Sequence, residues 1–193
     1  QADIAAALLR HGLAVHVFNP RAVEDILEMI LLLGAMVGAS AKAAALVELY
    51  RSNLEAVRNE ASPLARRPRV YFEEWDGPLI SGIRWVSELI GIAGGEDCFP
   101  ELTIAGSARD RIIGDPQEVV RRAPDIIIGS WCGKRFRPER VQARAGWEAI
   151  PAVRDGAIYE IKSADILQPG PAALTDGVRQ LQHMVKRWAQ APA

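Results

Sequence analysis

Gly129-Ser-Trp-Cys-Gly-Lys-Arg-Phe-Arg-Pro138 concentrates the residue types most able to do chemistry in this chain. Its Trp131-Cys132-Gly133 start matches a dithiol redox motif, but Arg135 stands where the second cysteine would be. Thiol–disulfide exchange needs that resolving thiol, so redox chemistry is excluded. A lone Cys132 nucleophile needs a nearby base, and His11, His16 and His183 lie near the chain ends, so an inert or partly buried cysteine is expected. The same histidines lack ligand spacing, no Cys-x-x-Cys occurs, and no metal is expected. The glycines form neither Gly-x-Gly-x-x-Gly nor a P-loop, so neither a nucleotide nor any other resident cofactor is called for.

What remains is recognition. Two aromatics interleaved with Lys134, Arg135 and Arg137 suit a ligand with flat apolar surface and some negative charge. The alternative is a solvated basic turn with Trp131 packed inward. Glu73, Glu74 and Asp76 form a second candidate, an acidic loop after a short apolar strand. Carboxylates there can orient a ligand's amide groups or lie in a solvated loop. Paired-acid hydrolysis, the route to a small α/β enzyme, would need a second carboxylate across a cleft.

The elements that position these residues follow from periodicity. Val70–Phe72, Asp125–Ile128 and Ala157–Ile161 read as strands, with Glu73–Gly77 and Gly129–Pro138 as loops at their carboxyl ends. In open α/β sheets ligands sit at that edge. Helices are expected around Ile83–Ile90, from Asp115 to Ala123, over Pro138–Arg144 and over Leu174–Trp188. Asp115-Pro-Gln-Glu118 has the form of a capping box. Alternating strands and helices imply an α/β fold, a mostly parallel sheet flanked by helices. Upstream, residues 3–10 read as a short helix, Leu13–Phe18 as a strand, and Asn19-Pro20 as the start of a helix broken at Gly34 and Gly38. Residues 41–60 form a long helix behind Ser40, its buried side expected along Ala44, Leu46, Val47, Leu54 and Val57. Twenty residues give a rod of roughly 30 Å, long enough to join two lobes.

Composition excludes further classes. With 23 Lys and Arg against 24 Asp and Glu, the chain offers no general attraction to nucleic acid. The apolar run Met29–Gly38 is too short to span a bilayer. Cys98 and Cys132 can form one disulfide, which leaves compartment and pairing open.

In order along the chain stand Arg69-Val-Tyr-Phe-Glu-Glu-Trp-Asp76, Trp85-Val-Ser-Glu-Leu-Ile90, Gly94-Gly-Glu96, Arg122-Ala-Pro-Asp-Ile-Ile-Ile128, Ile150-Pro-Ala-Val-Arg-Asp-Gly156 and Pro169-Gly-Pro171. This series resembles the second lobe of periplasmic proteins of ABC importers that bind cobalamin and iron-siderophores, the class whose lobes one long helix joins. The Phe-Glu-Glu-Trp and Trp-Cys-Gly segments are most similar to cobalamin-binding members. The resemblance implies residues 1–39 as a remnant of a first lobe that is largely absent, 40–62 as the interlobe helix, and 67–193 as the second α/β lobe. It implies an extracytoplasmic, non-enzymatic solute-binding component, whose export signal is not within this sequence, that delivers cobalamin to a membrane permease. An iron-siderophore on the same scaffold is the alternative. Ligand contacts are then expected from Trp75 and Trp131 as aromatics, and from Asp76, Lys134, Arg135, Asp165 and Gln168 as polar groups. The class carries a permease-docking carboxylate on each lobe; Gln117 stands at the matching position and its neighbour Glu118 becomes the docking candidate. Self-association through the exposed lobe face is a further expectation.

Overall fold

The computed structural model describes residues 2–104 and 106–191. Five strands form one sheet. β1 (Arg69–Asp76) lies at its centre, with β4 (Ile126–Gly129) and then β5 (Ile158–Glu160) parallel to it on one side. On the other side the short β3 (Glu96–Asp97) pairs in parallel with the start of β1, and β2 (Leu79–Ser81) pairs antiparallel with its end. The sheet is therefore mostly parallel and flanked by helices, as the alternating pattern predicts.

Successive side chains of a strand point to opposite faces, and this sorts the core into two layers. Val70, Phe72, Ile126 and Ile128 face α3 (Ser40–Ala61), α4 (Arg84–Ile92) and α9 (Val178–Ala189) through Tyr50, Val57, Leu89, Leu181 and Val185. Tyr71 and Ile127 face the opposite layer, with Phe99, Val119, Val141, Trp147 and Ile150. Each of these aliphatic side chains, once sealed from water, contributes roughly 1.5–3 kcal/mol.

The 22 residues of α3 form the expected rod. Its buried stripe is Ala43, Val47, Tyr50, Leu54, Val57 and Ala61. Val47, Leu54 and Val57 were expected there, but Ala44 and Leu46 turn outward, because Tyr50 and Ala43 set the stripe one position away. Polar contacts fasten the rod to α9: Asn53 donates to the Leu174 carbonyl at 2.7 Å, and Glu60 takes Arg179 at 3.0 Å and Lys186 at 2.7 Å. α1 (Ala2–Arg10) and α2 (Val23–Met36) precede it.

Three upstream and edge expectations change. Leu13–Phe18 is not in a strand: no neighbouring strand among the described residues offers the backbone partners that a strand requires. Helix α2 starts at Val23, not at Asn19-Pro20, because the Asp25 carboxylate accepts the Arg21 and Ala22 N–H groups at 2.7 and 2.9 Å. Gly34 lies within this helix, where an added Cβ would meet the Ala43 Cβ at 2.3 Å; it brings α2 and α3 together and does not break the helix. At the sheet edge, Glu73–Asp76 continue β1 and do not form a loop. Charged residues disfavour strands, but here each gains a cationic partner and β2 folds back to pair with them.

Candidate functional site

The carboxyl ends of β1 and β4 carry the two segments that sequence reasoning singled out. Gly129 closes β4 without a side chain, and this matters sterically: an added Cβ would fall 1.8 Å from a Phe136 ring carbon. Phe136 therefore folds back onto the strand and meets Trp131 edge-on, with ring centroids 4.9 Å apart. That packing shapes the loop between β4 and α6 (Pro138–Gln142), leaving Cys132, Gly133, Lys134 and Arg135 exposed.

Glu73 is the buried centre beneath this loop, with no exposed surface. Its carboxylate accepts the Trp131 indole N–H at 2.9 Å, the Tyr71 hydroxyl at 3.0 Å, and Arg144 through two nitrogens at 2.6 and 2.8 Å. Burial raises the Tyr71 phenol well above its ordinary value, so it stays a neutral donor to this acid. A buried carboxylate persists only when paired and fully hydrogen-bonded, and Glu73 meets both conditions. Its neighbour Glu74 takes the buried Arg111 guanidinium at 2.6 and 3.1 Å, which also donates to the Ser81 carbonyl. The three carboxylates thus lie in a paired strand end, each with its own cation, and none offers a free acid–base pair.

The third carboxylate, Asp76, forms an ion pair with Lys134 and faces Arg140 at 3.4 Å. The Lys134 ammonium also lies over the Trp75 ring, 4.0 Å from its centroid, and 5.0 Å from that of Trp131. Trp75 is half-buried, and its indole N–H donates to the Gly77 carbonyl at 3.0 Å. So Trp75, Asp76, Trp131 and Lys134 come together at one sheet edge. Trp131, considered as a ligand aromatic, is only 3% exposed and sits packed inward behind the Lys134 stem.

A shallow cavity of about 340 Å³ adjoins this cluster, lined by Trp131, Lys134, Arg135, Glu160, Lys162 and Ser163. Lys162 pairs with Glu160 at 2.7 Å, and Arg135 is exposed on the rim. Asp165, in α8 (Ser163–Ile166), is not on that cavity; it accepts the Gln180 amide at 3.1 Å and lines a groove against α9. Gln168, just beyond α8, is exposed.

Arg140 and Arg144 escaped the sequence reading. Their signal was present: Arg137, Arg140 and Arg144 follow the loop at helical spacing, while Glu73 lies in a strand that must place it against a cation. Glu118 stands on α5 (Gln117–Arg122), and its carboxylate is taken by Arg121 at 2.6 Å and Arg122 at 2.9 Å. Those two bonds, Arg122 first, hold it below the usual carboxylate range. The expected capping box is half present: Asp115 accepts the Gln117 N–H at 2.9 Å, while Glu118 turns to the arginines. Both cysteines are free, Cys98 buried and Cys132 exposed.

The fold has close structural counterparts. A possible iron-binding periplasmic solute-binding protein from Staphylococcus epidermidis superposes with a TM-score of 0.79 at 17% identity, over 95% of this chain and 70% of that one. The periplasmic heme-binding protein RhuT from Roseiflexus sp. RS-1 gives 0.78 at 18% identity, over 96% and 73%. The periplasmic vitamin B12 binding protein BtuF of Vibrio cholerae gives 0.71 at 18%, over 99% and 72%. No curated protein is detectably similar in sequence. Among the described residues no helix is long and apolar enough to cross a membrane. The family model described as "Periplasmic binding protein" matches residues 1–164, and a match over so much of its length means that this chain belongs to the periplasmic binding protein family, whose members bind solutes for ABC transporters and are not enzymes.

Proposed function

We propose that the chain serves an importer of cobalamin, recognising the corrinoid at the carboxyl edge of its sheet and delivering it to the permease outside the cytoplasm. The observation that carries this reading is the edge itself: a fixed Trp75 ring beside an exposed Arg135 and the Lys134-lined cavity. An aromatic plane suits a flat, largely apolar macrocycle, and the rim cation suits a phosphate or carboxylate on its periphery. Trp131 backs the cluster from beneath, and Asp76 is engaged by Lys134, so direct polar contact falls first to Arg135 and Gln168. Asp165 would take part only after releasing Gln180.

An iron-siderophore is the second reading, favoured by the rim charge: Lys134, Arg135 and Lys162 outnumber Glu160 around the cavity. Permease docking is assigned to the face bearing Glu118. The deciding experiment is titration of the full-length protein with cyanocobalamin and, separately, with ferric hydroxamate and catecholate chelates, following tryptophan fluorescence. Saturable quenching by cyanocobalamin alone supports the corrinoid reading; saturation by a ferric chelate alone replaces it.

A further inference from the structure

The Lys134 ammonium occupies the face of the one site aromatic that solvent can reach. It rests 4.0 Å above Trp75 and is tied to Asp76, whose side chain is only 6% exposed and which also faces Arg140. Both indoles are held in place: Trp75 donates to the Gly77 carbonyl and Trp131 to Glu73. Lys134 differs from them. Its side chain is 34% exposed, it follows Gly133 at φ +75°, and four rotatable carbons let the ammonium swing clear.

We propose that Lys134 is a lid on Trp75 and so a specificity-determining residue of this edge. Its ammonium covers the indole face in the unoccupied protein, and a solute that stacks on Trp75 must displace it. The inference rests on the edge being the solute site. A neutral or anionic planar solute meets only the displacement. A planar cation meets, in addition, the positive charge of Lys134, Arg140 and Arg135, with the single carboxylate of Asp76 already paired. The edge therefore selects against cationic aromatics, although two indoles and a carboxylate would otherwise attract them.

Acrylamide quenching of tryptophan fluorescence tests the lid without any ligand. Trp85, Trp131 and Trp147 are buried, so in a Trp188→Phe background of the full-length protein Trp75 is the indole that the quencher reaches. Lys134→Ala should raise the quenching constant. Asp76→Asn, which cuts the tether and leaves the lysine in place, should raise it to a smaller extent. Cyanocobalamin should then bind Lys134→Ala about two- to fivefold more tightly than the parent, the fold-change that corresponds to one exposed cation–π contact. Unchanged quenching overturns the lid. Raised quenching with weaker binding also overturns it, making Lys134 a solute contact. Raised quenching with no cyanocobalamin binding by parent or variant keeps the lid and removes the corrinoid reading.

Discussion

The indole N–H of Trp131 and the carboxylate of Glu73 meet at 2.9 Å inside the protein, 58 positions apart in the chain. This bond fastens the loop after β4 to the middle of β1. The Arg144 guanidinium closes the arrangement from the far side of the same loop and stacks 4.4 Å over the Trp147 ring. The geometry of the solute edge is thus inherited from a buried ion pair that no solute touches.

Glu73→Gln should cost stability. Gln offers one acceptor oxygen and no charge, so the mostly buried Arg144 loses its counter-ion. Breaking a buried pair from one side costs about 3–5 kcal/mol, and most of that should appear as a lower urea midpoint with unchanged slope. An Arg144→Met change on top of Glu73→Gln should recover part of the loss. A single variant as stable as the parent would show that the pair is not a net contributor.

Trp75→Ala should weaken cyanocobalamin binding by about tenfold or more, since losing a large aromatic contact costs roughly 1–3 kcal/mol. Trp131→Phe should instead act through the loop, lowering thermal stability with a smaller change in dissociation constant. If the two variants lose affinity equally, the division between a contacting and a backing indole is wrong.

Glu118→Gln should leave ligand affinity unchanged and weaken the complex with reconstituted permease, more visibly at low ionic strength. The carboxylate is already shared by Arg121 and Arg122, so docking requires at least one of these bonds to open. Complex formation equal to that of the parent would leave Glu118 as a partner of those arginines and nothing more.

The two thiols should separate in reactivity. Cys132 is exposed on the loop, while burial pushes the Cys98 thiol up to about 12. The thiolate is the reacting form, so an aromatic disulfide reagent at mildly alkaline pH should modify one equivalent quickly and the second only on unfolding. Two fast equivalents would mean that the strand around Cys98 opens readily.

Glu60 predicts a pH dependence of the contact between α3 and α9. Hydrogen bonds from Lys186 and then Arg179 lower its carboxyl from an ordinary 4.5 to about 2. A folded value below the unfolded one adds stability above pH 4.5, and that contribution is lost as pH falls from there toward 2. Glu60→Gln should therefore unfold earlier than the parent at neutral pH, and the two curves should converge across that acid window. Parallel curves at every pH would remove Glu60 from the contact's energetics.

The parallel α/β class, the rod of residues 40–61 and the edge bearing Trp75, Asp76 and Lys134 were legible in the sequence, because each rests on local periodicity or on the position of a loop after an apolar strand. Strand-to-helix alternation is a short-range signal, and a 22-residue helix with a recurring apolar stripe declares itself. Tertiary structure decided the rest. Glu73-Glu-Trp-Asp76 read as a loop because local propensity penalises charges in a strand, whereas the fold supplies Arg144, Arg111 and Lys134 from distant segments and makes the strand possible. Leu13–Phe18 carried a strand's pattern and formed none, since a strand exists only when another backbone pairs with it. Whether Trp131 faced a ligand or the core was likewise not a local question. It turned on Gly129 admitting Phe136 and on a buried carboxylate 58 residues earlier, and only packing in three dimensions brings those three together.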